Sequence, residues 1–149
     1  MSREETITAA RARLRALYAG LGYGSFYAAV REALCPFFFI EEHLPRTGTI
    51  VDIGCGYGLM ANVIRLMGGA ERTVFGVDLS AYRIAKAQAT VQADDAHLRF
   101  ICADIRTAAL PPADGVTMID FLHHIPFALQ EEVLAQLPRI LSPQGVVVI

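Results

Sequence analysis

The stretch VDIGCGYGLM at residues 51–60 constrains the fold of this 149-residue chain more than any other. Gly54, Gly56 and Gly58 occupy alternate positions directly after an apolar run that contains Asp52. Because glycine weakens the interior of both strands and helices, this cluster predicts a tight turn between a buried strand and a helix. In such a turn, backbone N–H groups and the helix N-terminus can approach a ligand without intervening side chains.

From Thr49 onward the chain alternates between strand-like and helix-like segments. Short apolar runs with β-branched residues read TIVDIG, TVFGVD, LRFICAD, GVTMIDF and GVVVI. Helical patterns lie between most of them, over 59–67, 81–91 and 127–141, and Pro138 is expected to kink or end the last helix. This alternation predicts an α/β fold, a doubly wound Rossmann-like parallel sheet with helices on both faces.

Carboxylates recur where the apolar runs end. Asp52, Asp78 and Asp104 close three of the runs, and Asp120 lies near the end of a fourth. Each could simply cap the helix or turn that follows it. In open α/β sheets, however, ligands bind outside the carboxyl ends of the strands. As a set that follows a glycine turn, these acids predict a ligand site along one rim of the sheet.

The N-terminal part of the chain predicts helices. Ser2 and Glu5 form a capping box, and Ser25 is expected to cap a second helix through about Leu34. Pro36 suits the first turn of a third helix that ends near residues 44–45. We predict a helical cap or lid over 1–47 and a Rossmann-like core over 48–149, within one domain overall. Five side chains of the lid could contact a ligand or belong to the core: Tyr18, Tyr23, Phe26, Tyr27 and Arg31.

Composition narrows the class of protein. A hydrophobic fraction of 54% with 19% charged residues excludes a disordered chain, and a net charge of −2 gives no global attraction to nucleic acid. No apolar run approaches the roughly 20 residues of a membrane-spanning helix. We therefore expect a cytoplasmic protein with a small-molecule partner. Cys35, Cys55 and Cys102 are widely spaced, so neither a metal site nor a disulfide framework is expected.

Two ligand classes use a glycine turn of this kind. The dinucleotide fingerprint G-x-G-x-x-G/A is only partly matched, since its third position is Leu59, although Asp78 fits the acid that binds ribose. The segment DIGCGYG instead matches an acid-x-G-x-G-x-G signature at every required position. With it, the chain resembles the class I S-adenosylmethionine-dependent methyltransferases. Four later segments also resemble motifs of that family: GVDLS (76–80), CADI (102–105), residues 114–126 and LSPQGVVVI (141–149), in which Gln144 replaces a common glycine.

The resemblance implies S-adenosylmethionine as cofactor and S-adenosylhomocysteine as its product. It implies that Asp78 binds the ribose hydroxyls, that Asp104 accepts from the adenine amino group, and that Asp120 lies near the amino-acid end. The full implied cofactor set is Asp52, Gly54, Cys55, Gly56, Gly58, Asp78, Leu79, Asp104, Ile105, Asp120 and Phe121. Independently of the family, acids around the turn suit a cationic cofactor without phosphate better than a diphosphate.

Two histidines follow the fourth strand and are the candidate catalytic residues. By the same resemblance, His124, and after it His123, would act as general base or contact the substrate. The alternative is that both side chains pack against or cap the next helix. Adjacent histidines without an acid or cysteine at ligand spacing do not indicate a metal.

The chain ends at Ile149, within the fifth predicted strand. The resemblance implies a seven-stranded sheet, so we expect strands six and seven to be lacking and strand five to be an exposed edge. We favour a fragment of a longer protein. A natural short form that pairs this edge with a second copy, as a homo-oligomer, and a prematurely ended reading frame are the alternatives.

The function that follows is methyl transfer from S-adenosylmethionine to an unidentified small molecule. A non-catalytic S-adenosylmethionine-binding module or an inactive fragment is the alternative, because it would keep the same cofactor turn. An NAD-dependent oxidoreductase domain is disfavoured by Leu59.

Overall fold

A computed structural model describes residues 2–149. In this part of the chain five strands form a single sheet with the order β3-β2-β1-β4-β5, and every neighbouring pair is parallel. The strands are β1 (Gly48–Ile53), β2 (Arg72–Asp78), β3 (Leu98–Cys102), β4 (Ala113–Thr117) and β5 (Leu141–Val148). The chain runs outward from β1 to β3 and then returns to β4 on the other side of β1. This order confirms the predicted Rossmann-like sheet.

Seven α-helices and one 3-10 turn accompany the sheet in the described residues. The helices are α1 (Arg3–Tyr18), α2 (Tyr23–Leu34), α3 (Phe37–Glu41), α4 (Leu59–Met67), α5 (Ala81–Gln88), α6 (Phe127–Leu134) and α7 (Leu137–Ile140), and the 3-10 turn is Leu122–His124. The predicted capping box of α1 is present, with Glu5 N–H bonded to Ser2 Oγ at 3.2 Å and Ser2 N–H to Glu5 Oε2 at 2.6 Å. The helix predicted over 59–67 has the same bounds in the structure.

Four helical predictions need correction. The third helix, predicted to end near residues 44–45, ends at Glu41. The helix predicted over 81–91 ends at Gln88. The helix predicted over 127–141 is divided into α6 and α7, and Pro138 lies in the first turn of α7, where its missing N–H costs no hydrogen bond. Ser25 does not cap α2, which begins at Tyr23 with Gly22 as its N-cap. The Ser25 hydroxyl bonds Tyr18 O and Leu21 N instead, so it closes the turn between α1 and α2.

The core consists of two layers, one on each face of the sheet. Ile50 and Val74 face α1, α3 and α4, and share one apolar cluster with Leu14 and Phe37 of the N-terminal helices. Val51 and its neighbours on the opposite face share a second cluster with residues of α6 and α7. Helices therefore cover both faces, as a doubly wound sheet requires. The boundary that we place at residue 47 stays a prediction, since α1 and α3 contribute to the same core as the sheet.

The strands β4 and β5 differ from their predicted extents. β4 ends at Thr117, so the predicted strand residues 118–121 lie in the following loop, where Asp120 has a φ of 51°. β5 begins at Leu141, before the predicted run, and pairs with β4 through an irregular register that includes Pro143. Proline is tolerated there because β5 pairs with only one neighbour. In residues 2–149, no helix combines the length and the apolar character needed to cross a membrane.

Candidate functional site

A cavity of about 980 Å³ opens at the carboxyl ends of β1, β2 and β4. This is the point where the chain order of the strands reverses, which is where open α/β sheets bind ligands. Its wall combines the end of β1, the glycine turn, the end of β2, the loop after β4 and part of α2. Its volume lies at the upper end of the roughly 300–1,000 Å³ range of ligand pockets, so it can hold two small ligands.

The three glycines of the turn have left-handed backbone conformations and different surroundings. A Cβ on Gly54 (φ 70°) would lie 2.0 Å from the ring of Phe121, and one on Gly58 (φ 81°) would lie 2.5 Å from the ring of Phe100. Gly58 does not line the cavity, so a side chain at this position is excluded by core packing and not by a ligand. At Gly56 (φ 53°) nothing lies within 4 Å of the position that a Cβ would take. Gly56 is therefore where backbone can approach a ligand most closely.

Asp52 is a buried carboxylate in the wall of the cavity. Its Oδ1 accepts a 2.8 Å hydrogen bond from the Thr117 hydroxyl, which faces it from the adjacent strand β4. Its Oδ2 has no hydrogen-bond partner among the described residues. Burial raises the pKa of Asp52 to about 7, although the Thr117 hydroxyl and the Ala61 N–H, which is too poorly aligned to count as a hydrogen bond, oppose this rise. The orphaned oxygen is itself buried, so it is an unpaired acceptor behind the surface of the cavity rather than on it.

Asp78 ends β2 and stabilises the glycine turn. Its Oδ2 accepts from Gly56 N–H at 3.0 Å, and its Oδ1 accepts from Ser80 N–H at 2.8 Å. Both bonds orient the carboxylate at the cavity wall, and each oxygen keeps one further lone-pair position for a ligand. Binding of ribose hydroxyls by Asp78 stays a prediction, with a preorganised acceptor in its support.

Asp104 is the one predicted acid whose side chain does not line the cavity. It accepts from the backbone N–H of Arg106 at 2.9 Å and from its guanidinium at 2.6 Å and 3.1 Å, and these bonds lower the pKa of Asp104. Ile105, its neighbour in the chain, does line the cavity. Acceptance of a hydrogen bond from an adenine amino group by Asp104 therefore stays a prediction. Its only support is that the neighbouring Ile105 lines the cavity. The other predicted residues at the wall are Cys55, Leu79, Asp120 and Phe121.

The N-terminal helices form part of the cavity wall. Tyr23, Tyr27 and Arg31 of α2 line it, and the rings of Tyr27 and Tyr57 lie 4.8 Å apart. Phe37, at the start of α3, was not among the predicted residues and lines it too. Of the other lid candidates, Phe26 is exposed outside the wall and Tyr18 is buried in the core.

Tyr18 connects α1 to the back of the glycine turn. Its hydroxyl donates to Tyr57 O at 2.7 Å and accepts from Asn62 Nδ2 at 3.1 Å. Asn62 also donates to Gly58 O and to the Thr90 hydroxyl. Burial raises the pKa of Tyr18, so its hydroxyl stays protonated and remains a donor. The turn is therefore supported by a buried hydrogen-bond network.

His123 and His124 lie in the 3-10 turn after β4, and both line the cavity. Their rings are 4.0 Å apart, and both residues are exposed. Neither side chain caps α6, whose N-cap is Pro126 without a side-chain hydrogen bond. Among residues 2–149, no group of three or more His, Cys, Asp or Glu side chains is arranged to hold a metal ion.

Comparisons with known proteins agree with this geometry. A family model described as a methyltransferase domain matches residues 50–145. The ubiquinone biosynthesis O-methyltransferase of Chromobacterium violaceum is 29% identical over 111 residues, which cover 72% of this chain and 46% of that protein. The PH0226 protein of Pyrococcus horikoshii superposes with a TM-score of 0.66 at 26% identity, over 80% of this chain and 55% of the other. An S-adenosylmethionine-dependent methyltransferase of Mesorhizobium loti gives 0.57 at 28% identity, over 72% and 48%.

The fold and the acid-lined glycine turn define an S-adenosylmethionine-binding α/β domain. The chain belongs to the methyltransferase domain family, and S-adenosylmethionine is its cofactor. It spans about half the length of the curated relative named above. The residues present fit this cofactor, because the cavity offers an open backbone at Gly56 and a preorganised Asp78 carboxylate.

Proposed function

We propose that this domain transfers a methyl group to a small-molecule acceptor bound in the same cavity as the cofactor. One observation carries the proposal. The glycine turn, Asp78, the loop after β4 and helix α2 all line the same cavity of about 980 Å³. When bound, S-adenosylmethionine supplies an activated methyl group on a sulfonium. The chain's own residues then have to bind the cofactor and the acceptor, orient them toward each other, and exclude water.

The two ends of the cavity suit different ligands. Asp78, Leu79 and Ile105 lie on the β2 and β3 side, where ribose and adenine would be held. Arg31 and Tyr27 of α2 and the two histidines lie on the other side, where an acceptor would be held. The aromatic and mixed-charge character of this second side supports a small molecule rather than nucleic acid. The cytoplasmic location predicted from the sequence is part of the same proposal.

Asp78→Asn tests the cofactor site. Asparagine has one acceptor oxygen, so it can accept from Gly56 or from Ser80 but not from both. Its bond to a ligand hydroxyl also lacks the negative charge, and hydrogen bonds to charged groups are worth about 1.5–3 kcal/mol. We expect the affinity for S-adenosylhomocysteine, measured by titration calorimetry, to fall about 10- to 100-fold. Asp94→Asn, at an exposed position outside the cavity, is the matched control and should bind like the unaltered chain. Equal affinity of the Asp78 and Asp94 variants would contradict this role.

His124→Ala and His123→Ala test the catalytic proposal. A general base contributes about 10²–10⁴-fold when the acceptor must lose a proton. We therefore expect turnover to fall within that range in one variant, with little change in cofactor affinity. The measurement is release of S-adenosylhomocysteine with the first active acceptor from a panel of phenols, carboxylic acids and amines. Full turnover in both variants would exclude a catalytic role, and binding without turnover on any acceptor would favour the non-catalytic module.

A further inference from the structure

Gln130 connects helix α6 to the turn that carries the two histidines. Its amide nitrogen Nε2 donates to the carbonyl oxygen of Leu122 at 3.0 Å and to that of Ile125 at 3.1 Å. One of these carbonyls precedes His123 and the other follows His124, so the amide bonds the chain on both sides of the histidine pair. Because both partners are carbonyl oxygens, only a hydrogen-bond donor suits this position.

The place of Gln130 in α6 explains how its side chain reaches the turn. It is the fourth residue of the helix that begins at Phe127, and side chains of a helix lean toward its N-terminus. Gln130 is partly buried and does not belong to the wall of the cavity. Any effect of this side chain on a bound ligand therefore has to pass through the turn.

The turn has few other hydrogen bonds to hold it. It is a 3-10 helix of three residues, Leu122–His124, and such helices have poorer hydrogen-bond geometry than α-helices. The backbone N–H groups of His124 and Ile125 each donate one bond of 3.0 Å that closes it. No backbone N–H of residues 2–149 bonds the Ile125 carbonyl. Gln130 therefore supplies the donor that this carbonyl would otherwise lack.

The turn has a packed side and an open side. Leu122 and Ile125 pack against the apolar cluster that the sheet shares with α6 and α7. His123 and His124 are exposed, and both line the cavity. Exposed imidazoles have little packing to fix them, so the backbone of the turn decides where their rings lie. The two carbonyls that Gln130 bonds belong to this backbone.

We infer that Gln130 is a positioning residue that holds His123 and His124 where one of them can act on a bound acceptor, and the inference rests on the proposed function. A displacement of about 1 Å at a reacting group can lower a rate about 100-fold. A donor that touches no ligand can therefore still control turnover. Cofactor affinity should not depend on it, because Gly56 and Asp78 are held by a separate hydrogen bond.

Three variants test the inference. Gln130→Met removes the donor and keeps the length of the side chain, whereas Gln130→Lys keeps a donor. Gln136→Met is the matched control. The Gln136 Nε2 also donates to a backbone carbonyl, that of Glu132 at 3.0 Å, but this bond lies away from the turn and the cavity.

Three quantities are measured for each variant and for the unaltered chain. Amide hydrogen exchange at His124 and Ile125, followed by NMR, reports directly on the turn. Titration calorimetry with S-adenosylhomocysteine reports on the cofactor site. Release of S-adenosylhomocysteine with the first active acceptor from the same panel of phenols, carboxylic acids and amines reports on turnover.

Loss of the donor should affect the turn and the reaction but not the cofactor site. In Gln130→Met we expect exchange at both amides to be about 10-fold faster, because two hydrogen bonds that oppose local opening are lost. Turnover should fall about 10- to 100-fold, and the affinity for S-adenosylhomocysteine should change less than twofold. Gln130→Lys should retain part of the turnover, and Gln136→Met should match the unaltered chain in all three quantities.

Three results overturn the inference. Unchanged exchange at both amides would mean that Gln130 does not hold the turn. Faster exchange with full turnover would mean that the reaction does not depend on where the histidines lie. Faster exchange throughout the sheet, together with weaker cofactor binding, would mean that Gln130 only stabilises the fold. Failure of the proposed function is distinguishable, because the unaltered chain would then turn over no acceptor while exchange at the turn still depended on Gln130.

Discussion

Replacement of Glu41 by glutamine is expected to lower the free energy of unfolding by about 3–5 kcal/mol. Glu41 of α3 and Arg72 of β2 are both fully buried, and Arg72 Nη1 donates to Glu41 Oε1 at 2.6 Å. Arg72 also donates to the carbonyls of Pro45 and Ile64. The variant leaves the Arg72 charge buried without its counterion, which is much more costly than losing an exposed ion pair. Chemical denaturation followed by circular dichroism measures the effect.

The same cluster provides the control for this prediction. Arg46 also bonds Glu41, at 3.0 Å, but its side chain is 57% exposed. Arg46→Gln should therefore cost less than about 1 kcal/mol. The double variant Glu41→Leu/Arg72→Met, which removes both buried charges, should be more stable than Glu41→Gln alone. If Glu41→Gln and Arg46→Gln are equally mild, the buried pair does not anchor α3 to the sheet.

Asp52→Asn is expected to remove a pH dependence of stability. Burial raises the pKa of Asp52 from its ordinary value of 3.8 to about 7, so between these values the folded chain binds a proton that the unfolded chain has released. The free energy of unfolding therefore falls as the pH rises through this window, by up to about 1.4 kcal/mol per pH unit. Relative to the variant, the unaltered chain loses about 3 kcal/mol between pH 4 and pH 7.

Denaturation curves at several pH values measure this difference. Titration of all other groups is common to both proteins, so the difference between their unfolding free energies isolates Asp52. Asp94→Asn, at an exposed position outside the cavity, is the matched control. A constant difference between Asp52→Asn and the unaltered chain from pH 4 to pH 7 would contradict the raised pKa.

The sheet and the glycine turn at the cavity were predictable because their signals are local. β-branched runs and glycines at alternate positions specify strands and a turn from neighbouring residues alone, and Asp78 follows its strand directly. The break between α6 and α7 was less predictable. A proline indicates that a helix is interrupted, but it does not indicate at which residue the next helix begins. Ser25 shows the same limit, since its hydroxyl closes a turn with Tyr18 and Leu21 rather than capping a helix.

The side of the cavity beneath α2 was predictable as a set of candidate residues but not in its contacts, because these join distant parts of the chain. Arg31 meets Asp120 only after α2 has packed above the loop that follows β4. Thr117 faces Asp52 through strand register, which a single sequence does not specify. Asp104 looked like its neighbours in pattern, yet Arg106, two residues later, engages its side chain away from the cavity. Such contacts depend on tertiary structure, and no short motif encodes them.

The cofactor assignment is tested most directly by calorimetric titration of residues 1–149 with S-adenosylhomocysteine and, separately, with NAD. S-adenosylhomocysteine should bind at one site per chain, because Gly56 presents open backbone and Asp78 presents an oriented carboxylate to a ligand without phosphate. NAD should not bind, because its diphosphate would lie beside the Asp78 carboxylate at the glycine turn. Binding of NAD alone, or binding of neither compound by a folded sample, would contradict the assignment of this cavity to S-adenosylmethionine.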